Sequence, residues 1–575
     1  MTAETGDDQD RPVVERALAE QVRDWIARDP DPATRAELEA LLASGDEQGL
    51  HARFDQPLSF GTAGMRGPLG AGPARMNRAV VRATTAGLAR WVAEQGHAAR
   101  QAGIVIGHDA RHGSSAFATD AALVAAAQGV HAHLFARPLP TPITAFAVRH
   151  LRAAAGVMIT ASHNPPADNG YKAYAADGAQ VIPPDDARIA ALAAELGPPP
   201  VVELAAAQRR RIEHLDEEAL LAAYAEAVIP VLDPRGPRRL RVVYTPLHGV
   251  GAAVLPDLFV RAGFDPPVPV GRQAEPDPDF PTIAFPNPEE PGALDLALAE
   301  ARRVSADVVL ANDPDADRLA VAFADRGGFR ILTGDELGAL LADYLLARTR
   351  GADRLVATTI VSSTLLASLA VEAGVDYAET LTGFKWIARA AAGHPGHRLI
   401  LGYEGALGYA VSEAVADKDG LSAALVAAEL AAVEKAAGRT LAGRLDDLAA
   451  RLGVHLTSQI ALARKDQGAS AGLAATMARL RARPPSEIAG LAVTEVVDYA
   501  TPTGGLPAAD VLAWHLAKTA RVVLRPSGTE PKLKAYLEVR TEPPGQSGLD
   551  AARQRAQATL GELRHDVAGM LAGGA

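Results

Sequence analysis

The sequence predicts an α/β protein with three similar α/β domains, in which mixed sheets are sandwiched by helices, followed by a C-terminal α+β domain. Two observations lead to this fold class. A strand-like run, a turn of small residues, a helix and a terminal glycine recur three times, whereas the last part of the chain has alternating strands and a closing helix. Strands that alternate with helices need crossover connections, which favour parallel or mixed sheets between helical layers.

The recurring units start at three strand-like runs, residues 102–107, 240–244 and 355–360. In each unit the following helix is predicted to end at a glycine, because glycine adopts the left-handed conformation that ends many helices. These glycines are Gly129, Gly263 and Gly374, and each is followed by an apolar residue that begins the next extended segment. Three structurally related domains explain the recurrence.

The chain has 575 residues, more than one hydrophobic core usually supports, so several domains are expected. Polar or proline-rich stretches near 197–201 and 325–329 suit domain boundaries. The runs 521–524 and 535–539 suit an antiparallel sheet, and a closing helix is expected from Leu549. The predicted organisation is a helical extension over 1–57 and four domains over 58–210, 211–328, 329–451 and 452–575.

Composition excludes several classes of function. The chain contains no cysteine, which excludes disulfides, thiolate catalysis and cysteine-ligated metal sites, and it suits a reducing compartment, so we expect the cytoplasm. The formal net charge of −12 argues against general attraction to nucleic acid or anionic membranes. The first residues lack the apolar segment of a secretory signal, and no apolar run reaches the length of a membrane span.

An acidic triplet follows one strand-like run. If the loop is extended, Asp313, Asp315 and Asp317 point to one side, and carboxylates this close need a cation; an incomplete set of oxygen ligands favours Mg²⁺. An EF-hand calcium loop would need glycine and glutamate where the chain has Arg318 and Ala324. A phosphatase of the haloacid dehalogenase type would have threonine or valine in place of Asp317. A solvated acidic loop is the structural alternative.

A serine follows the apolar run 155–159 in the segment Ile159–Pro165. An exposed hydroxyl of Ser162 could carry a phosphoryl group, which would then supply the fourth ligand of the cation. A serine hydrolase is the alternative interpretation. It fits poorly, because adjacent side chains such as Ser162 and His163 tend to point apart on an extended loop, and no G-x-S-x-G motif surrounds the serine.

Two further segments suit a phosphorylated sugar. One combines a guanidinium, hydroxyls, an ammonium and a glycine that lets backbone N–H groups approach an anion; these groups belong to Arg525, Ser527, Gly528, Thr529 and Lys534. A surface turn that closes a hairpin is the alternative for this segment. The other segment, residues 402–408, places Glu404 among glycines, where its carboxylate could accept hydrogen bonds from vicinal sugar hydroxyls.

Four motifs, at 160–165, 313–318, 402–404 and 525–531, stand in an order and at separations that resemble the α-D-phosphohexomutase superfamily. The resemblance extends from about residue 60 to residue 534. It implies a heart-shaped enzyme of four domains, with one motif from each domain facing a central cleft.

The resemblance also implies roles for individual residues. Ser162 would be the phosphoserine and, with Asp313, Asp315 and Asp317, would form the Mg²⁺ site. Other catalytic roles are expected for Arg66, His163 and Lys172, of which Arg66 approaches the transferred group and Lys172 matches a position proposed for proton transfer. The expected substrate contacts are Thr62, Arg318, Thr382, Lys385, Glu404, Lys418, Arg525, Ser527, Gly528, Thr529 and Lys534.

Within the superfamily, the segments 60–64, 286–290, 382–385 and 417–420 resemble the phosphoglucomutase/phosphopentomutase branch. The sugar loop departs from a pattern common in bacterial phosphomannomutase/phosphoglucomutases, because Ala406 stands where a serine is usual and Tyr409 where a histidine is usual. The expected activity is therefore interconversion of a sugar 1-phosphate and a sugar 6-phosphate, with glucose first and mannose or pentose phosphates as alternatives.

The expected mechanism passes a phosphoryl group from Ser162 to the sugar, through a sugar 1,6-bisphosphate that also serves as activator, with Mg²⁺ as cofactor. The expected partner is a small sugar phosphate rather than nucleic acid or membrane, and the enzyme is expected to be a monomer or weak homodimer. Two functions from other classes are a metal-dependent sugar-phosphate phosphatase and a non-catalytic sugar-phosphate sensor.

Overall fold

The computed structural model describes residues 15–61, 64–198, 204–463, 469–527 and 532–573. As expected, the chain begins with helices outside the first sheet: α1 (Arg16–Arg28), α2 (Pro32–Ser44) and α3 (Glu47–Phe54). Asp31 caps α2 by accepting a hydrogen bond from the backbone of Ala33, and Pro32 occupies the first helical position, where its missing N–H costs nothing. The apolar faces of these three helices pack on one another and on Ala71, and this contact attaches the helices to the first sheet.

The first sheet has the strand order β1-β5-β4-β2-β3-β6. Strands β2, β3, β4 and β6 are parallel, whereas β5 pairs antiparallel with β4 and β1, so the sheet is mixed. Its strands are β1 (Met65–Pro68), β2 (Ile104–His108), β3 (Ala132–Leu134), β4 (Ala155–Ile159), β5 (Asp168–Ala175) and β6 (Ile212–His214). Its helices are α4 (Arg78–Glu94), α5 (His97–Ala102), α6 (Ser114–Ala127), α7 (Thr141–His150), α8 (Asp185–Leu196) and α9 (Ala206–Arg209).

The second sheet has the order β11-β10-β9-β7-β8, with a parallel part and an antiparallel hairpin. Its strands are β7 (Val242–Thr245), β8 (Val268–Pro269), β9 (Val308–Ala311), β10 (Ala320–Asp325) and β11 (Gly328–Ile331). The helices around it are α10 (Glu217–Val228), α11 (Leu255–Arg261) and α12 (Asp295–Val304), with short 3₁₀ turns at Ile229–Val231, Val250–Ala253 and Gly271–Gln273.

The third sheet has the order β13-β12-β14-β15, in which β15 is the antiparallel member. Its strands are β12 (Arg354–Thr359), β13 (Asp376–Thr380), β14 (Arg398–Glu404) and β15 (Gly408–Ala410). Its helices are α13 (Gly334–Arg348), α14 (Leu365–Ala373), α15 (Phe384–Ile387), α16 (Gly420–Ala436) and α17 (Leu441–Leu452), with a 3₁₀ turn at Ala390–Gly393.

The fourth sheet is antiparallel, in the order β16-β21-β20-β19-β18-β17. Its strands are β16 (His455–Ala463), β17 (Glu487–Ile488), β18 (Leu491–Asp498), β19 (Leu512–Leu516), β20 (Ala520–Pro526) and β21 (Lys532–Arg540). Two helices cover it, α18 (Ala469–Ala482) and the long closing helix α19 (Gly545–Ala572). The predicted α+β character of the last part of the chain is confirmed.

The threefold recurrence is also confirmed. The units β2-α6-β3, β7-α11-β8 and β12-α14-β13 each join two neighbouring parallel strands through a helix. The glycine after each helix has positive φ, at 79° for Gly129, 85° for Gly263 and 60° for Gly374, as the sequence predicts.

Two of the predicted boundaries fall inside sheets. Strand β6 continues the first sheet beyond residue 210, and the hairpin β10-β11 continues the second sheet beyond residue 328. The polar stretch 325–329 is therefore a hairpin turn rather than a linker. The other predicted linker, 197–201, lies partly outside the described residues.

The first three sheets share one continuous hydrophobic core, which runs from Val105 in β2 to Leu448 in α17. The fourth sheet has a hydrophobic core of its own and meets the third sheet through a smaller apolar cluster around Ile360 and Val523. Among the described residues, no helix is both long enough and apolar enough to cross a lipid bilayer.

Candidate active site

Ser162 lies just past the end of β4, in a loop that the second domain covers. Its side chain is buried, and its Oγ donates a hydrogen bond to Oδ2 of Asp313 at 2.7 Å. The backbone of Ser162 has φ of 53°, and its N–H donates to the hydroxyl of Thr160 at 2.8 Å. The expectation of an exposed hydroxyl is therefore wrong, because the acidic loop of the second domain packs directly on the serine.

The expectation that Ser162 and His163 point apart is also wrong. The positive φ at Ser162 bends the loop, so that Nδ1 of His163 lies 3.1 Å from Oγ of Ser162. Burial holds the pKa of His163 well below its usual range, and the nearby guanidinium groups of Arg318 and Arg66 lower it further. A neutral imidazole therefore contacts the serine hydroxyl at neutral pH.

The three aspartates of the acidic loop are fully buried rather than solvated. Carboxylate oxygens of Asp313, Asp315 and Asp317 all lie within 4.8 Å of one another. The loop is a turn instead of the expected extended segment, because Ala316 has φ of 55° and its N–H donates to the carbonyl of Asp313 at 2.8 Å. The turn, rather than alternation along a strand, brings the three carboxylates together.

Two lysines from other domains reach these carboxylates. Nζ of Lys172, on β5, lies 2.6 Å from Oδ2 of Asp315 and 2.7 Å from Oδ2 of Asp317. Nζ of Lys418, in the third domain, lies 3.2 Å from Oδ2 of Asp317. Burial alone would lower the pKa of Lys172, but Asp315 and Asp317 raise it above its ordinary value, so the amine is protonated.

The carboxylates differ in their electrostatics. Burial and the charge of Asp317 raise the pKa of Asp315. Burial would also raise the pKa of Asp317, but Lys172, Lys418 and Arg318 together hold it well below its usual range.

The acidic loop fits a hard divalent cation. Among the described residues, Oδ1 of Asp315 and Oδ1 of Asp317 are buried and accept no hydrogen bond. Buried carboxylate oxygens without a donor are costly unless a cation satisfies them. An all-oxygen set with few protein ligands is typical of Mg²⁺, so the residues present can hold such an ion.

Two arginines border the cluster. Arg66, on β1, donates to Oδ1 of Asn164 in the serine loop at 3.3 Å. Burial lowers the pKa of Arg66, although the nearby aspartates oppose this shift. The backbone N–H of Arg318 donates to Oδ1 of Asp313 at 3.0 Å, and its guanidinium lies 3.6 Å from Oε2 of Glu289. The predicted residues Arg66 and Arg318 therefore lie beside the predicted serine and aspartates.

The loop that carries Glu404 contacts the acidic loop directly through backbone hydrogen bonds. Arg318 forms a β-bridge with Gly408, and the N–H of Leu319 donates to the carbonyl of Leu407 at 3.0 Å. Oε1 of Glu404 accepts a hydrogen bond from the backbone of Gly383 at 2.8 Å. The neighbouring hydroxyl of Thr382 is buried and has no partner among the described residues. Among the described residues, the hydroxyl of Thr382 thus remains for a polyhydroxylated ligand, beside the carboxylate of Glu404.

Lys385 lies at a different place from the carboxylate cluster. It lines a cavity with Phe60, Gly61 and Asp186, beside the first loop of domain 1. Burial lowers the pKa of Lys385, partly opposed by Asp186. The neighbouring Thr62, also expected at the site, lies outside the described residues.

The fourth domain contributes the segment around Arg525. Its guanidinium donates to the hydroxyl of Tyr536 at 3.4 Å, and the N–H of Ser527 donates to the carbonyl of Lys532 at 2.7 Å. Burial raises the pKa of Glu289 in the second domain, whereas the charges of Arg318 and Lys534 oppose this shift. The expected contacts Gly528 and Thr529 lie outside the described residues.

Two residues at the site were missed by sequence reasoning. Thr141, at the start of α7, donates from its hydroxyl to Oδ2 of Asp315 at 2.6 Å. Arg111 donates to the backbone of the Ser162 loop. The only local signal for Arg111 is that Asp109 and Arg111 are polar residues just after β2, since polar residues after a parallel strand often face a site.

Comparisons with known proteins agree with this geometry. Phosphoglucomutase/phosphomannomutase domains match in order: α/β/α domain I at residues 57–198, domain II at 222–327, domain III at 333–452 and the C-terminal domain at 492–551. A solved phosphoglucomutase/phosphomannomutase family protein from Burkholderia thailandensis has the same fold, with a TM-score of 0.64 at 20% identity, over 88% of this chain and 97% of that chain.

Curated relatives cover nearly the whole chain. A "Probable phosphomannomutase" of Haemophilus influenzae is 39% identical, over 85% of this chain and 97% of its own length. A mouse phosphopentomutase is 35% identical, over 95% and 94%. A human glucose 1,6-bisphosphate synthase is 33% identical, over 90% and 89%. The chain therefore belongs to the phosphoglucomutase/phosphomannomutase family of the α-D-phosphohexomutase superfamily, and it is an isomerase that acts on sugar phosphates.

Proposed function

We propose that the enzyme interconverts glucose 1-phosphate and glucose 6-phosphate through a phosphoserine at Ser162 and a glucose 1,6-bisphosphate intermediate. The observation that carries this proposal is the 2.7 Å contact between Oγ of Ser162 and Oδ2 of Asp313, inside a buried cluster of three carboxylates. In phosphoryl transfer a hydroxyl at this place can carry the phosphoryl group, and a cation held by those carboxylates would neutralise charge on the phosphoryl oxygens.

In the first half-reaction, the phosphoryl group leaves Oγ of Ser162 as a bond forms between phosphorus and the free hydroxyl of the sugar monophosphate. Asp313, Asp315 and Asp317 would hold Mg²⁺, which when bound neutralises charge on the phosphoryl oxygens. Arg66, which contacts Asn164 in the serine loop, would also bind those oxygens. In the second half-reaction the other phosphate returns to Ser162, and serine is left phosphorylated again.

The two proton carriers have opposite charge states. His163 is neutral and lies 3.1 Å from Oγ of Ser162, so it can take the proton of the hydroxyl when serine attacks the bisphosphate. Lys172 is protonated by its pairing with Asp315 and Asp317 and can supply a proton to the departing sugar oxygen. The reverse steps use the same groups in the opposite sense.

Substrate binding would draw on all four domains. Glu404 would accept hydrogen bonds from sugar hydroxyls, and Thr382 would donate one to a sugar hydroxyl. Lys418 would lie between the sugar and Asp317. The segment that contains Arg525, Ser527, Gly528, Thr529 and Lys534 would hold the phosphate that is not transferred, and Arg318, Lys385 and Thr62 would be further substrate contacts. The bisphosphate must turn around between half-reactions, so either of its phosphates must fit this segment.

The preferred sugar is the finer part of the proposal. Glucose is supported by the human relative, whose name includes a glucose bisphosphate, whereas the mouse relative is named a phosphopentomutase and the bacterial relative a phosphomannomutase. Turnover should be measured side by side on the 1-phosphates of glucose, mannose, ribose and deoxyribose. If kcat/KM is highest for glucose 1-phosphate, the proposal is supported. If kcat/KM is higher for a pentose phosphate or for mannose 1-phosphate, that sugar replaces glucose as the proposed substrate.

The role of Ser162 is tested with Ser162→Ala and the matched control Ser422→Ala. Both serines are 1% exposed, but Ser422 lies on α16, where its hydroxyl is 3.5 Å from the carbonyl of Asp419. Ser162→Ala should lose isomerisation by at least about 10³-fold and still bind sugar phosphate, whereas the control keeps its turnover. Retained turnover in Ser162→Ala shows that another group carries the phosphate. Release of inorganic phosphate by the wild type without isomerisation indicates a phosphatase instead.

A further inference from the structure

The loop that presents Ser162 is held from behind by one buried arginine. The guanidinium of Arg111 donates to four backbone carbonyls of this loop. Its Nη2 lies 2.7 Å from the carbonyl oxygen of Ser162 and 2.5 Å from that of Asn164, and its Nη1 lies 2.8 Å from that of Pro165 and 3.1 Å from that of Asp168. Arg111, from the polar segment after β2, therefore acts as a template that fixes the shape of this loop.

Outside the serine loop, Arg111 contacts Asp109 and Phe280. The residue is 4% exposed, and its Nε lies 3.5 Å from Oδ2 of Asp109, beyond the range of a good hydrogen bond. The ring of Phe280, from the second domain, covers the guanidinium at 4.9 Å. Burial lowers the pKa of Arg111, yet an arginine starts so high that it stays charged at neutral pH. Its positive charge is therefore stabilised by the carbonyls of the serine loop together with the carboxylate of Asp109.

The shape of the loop explains why such a template is useful. Ser162 has φ of 53°, a conformation that costs a residue with a Cβ about 1 kcal/mol or more unless neighbouring contacts impose it. Within the loop, the carbonyl of Pro165 also accepts a hydrogen bond from the N–H of Asp168 at 3.0 Å, but Arg111 alone supplies donors to all four carbonyls. A planar guanidinium supplies these donors in a fixed geometry, which a flexible ammonium does not.

We propose that Arg111 is a positioning residue for phosphoryl transfer: its guanidinium fixes the Ser162 loop so that the serine oxygen stays against Asp313 throughout the cycle. This inference rests on the proposed role of Ser162. Within the loop, Arg111 contacts only backbone atoms. Replacement of Arg111 should therefore affect the rate of phosphoryl transfer more than the binding of sugar phosphate. A looser loop should also let water compete with the sugar for the phosphoryl group.

The test compares Arg111→Lys and Arg111→Met with the control Arg82→Met. Arg82 is equally buried, at 4% exposed, and lies in the same domain, but it pairs with Asp120, which also keeps an ion pair with Arg78. We expect Arg111→Lys to lower kcat by about 100-fold while KM changes by less than about threefold, because a displacement of about 1 Å can cost that much. Phosphate release per isomerisation event should rise, and Arg111→Met should show larger effects of the same kind.

The control separates positioning from loss of folding. Arg82→Met should reduce the melting temperature about as much as Arg111→Lys, but leave kcat and the ratio of phosphate release to isomerisation as in the wild type. The inference is overturned if Arg111→Lys keeps kcat within about twofold of the wild type, or if Arg82→Met shows the same loss of kcat. If Arg111→Met does not fold, Arg111→Lys alone decides. A wild type without isomerase activity refutes the proposed function itself, whereas an active wild type with an active Arg111→Lys refutes only the role of Arg111.

Discussion

Asp335 is a half-buried carboxylate at the junction of the third and fourth domains, and its replacement by asparagine should stabilise the protein in a pH-dependent way. The residue lies in the first turn of α13. Its Oδ1 accepts a hydrogen bond from the N–H of Ser363 at 2.9 Å, and its Oδ2 accepts one from the hydroxyl of Thr457 in the fourth domain at 2.9 Å. An added Cβ on Gly405 would lie 3.1 Å from its Oδ1, so the carboxylate also supports the loop of Glu404.

The magnitude follows from the pKa. Burial raises the pKa of Asp335 from 3.8 to about 6, although the hydrogen bonds from Ser363 and Thr457 oppose part of the shift. At about 1.4 kcal/mol per pH unit the difference corresponds to about 3 kcal/mol, and partial exposure reduces the expected effect to about 2 kcal/mol. Because the folded state binds this proton more tightly, the contribution of the carboxyl is fully present below pH about 4 and is lost as the pH rises through about 6.

Asparagine has no charge to lose. Its Oδ1 can accept the hydrogen bond from the N–H of Ser363, and its Nδ2 can donate one to the hydroxyl oxygen of Thr457. Asp335→Asn should therefore match the wild type near pH 4 and exceed it by about 2 kcal/mol near pH 8, seen as a melting temperature several degrees higher. The assay is thermal melting of both proteins across this pH range. Asp343→Asn, on the same helix, is the control, because Asp343 pairs with the guanidinium groups of Arg444 and Arg451, whereas Asp335 has, among the described residues, only uncharged hydrogen-bond donors. A stability difference between Asp335→Asn and the wild type that does not change with pH would refute the reasoning.

Two further predictions concern the metal loop and the junction with the fourth domain. Asp315→Asn should raise the Mg²⁺ concentration for half-maximal activity by about tenfold or more, because it weakens one of three carboxylate ligands; an unchanged Mg²⁺ titration contradicts the assigned ligands. Arg521→Met should destabilise the fourth domain by about 3 kcal/mol, because it leaves the buried carboxylate of Glu538 without its guanidinium partner at 2.8 Å. Hydrogen exchange in β20 and β21 measures this effect, with the exposed Arg540→Met as control, and equal exchange in the two variants would show that the buried pair does not stabilise the domain.

Much of the fold could be predicted because it depends on local sequence patterns. The three strand, helix and glycine units each lie within one short stretch, so periodicity and the terminal glycines Gly129, Gly263 and Gly374 were enough to find them. Boundaries were harder, since the polar turn at 325–329 has the composition of a linker but closes a hairpin. Polar composition alone does not distinguish a turn within a sheet from a connection between domains.

The candidate site could be predicted in its residues but not in its geometry. Ser162 and Asp313 are 151 positions apart, so their contact depends on how two domains pack. That packing buries the serine and bends its loop, which is why the expected exposed hydroxyl and the divergent Ser162 and His163 were wrong. The turn at Ala316 likewise depends on contacts that sequence periodicity does not record.

The central claim is that the oxygen of Ser162 carries the phosphoryl group between the two ends of the sugar, and single-turnover transfer tests it most directly. The enzyme is labelled with radioactive phosphate by a labelled sugar bisphosphate, the labelled peptide is identified, and the phosphoenzyme is then mixed with unlabelled glucose 1-phosphate in a rapid-quench device. The account predicts label on Ser162 and its appearance in glucose bisphosphate at a rate no slower than kcat. Label on another residue, or transfer slower than kcat, would contradict it.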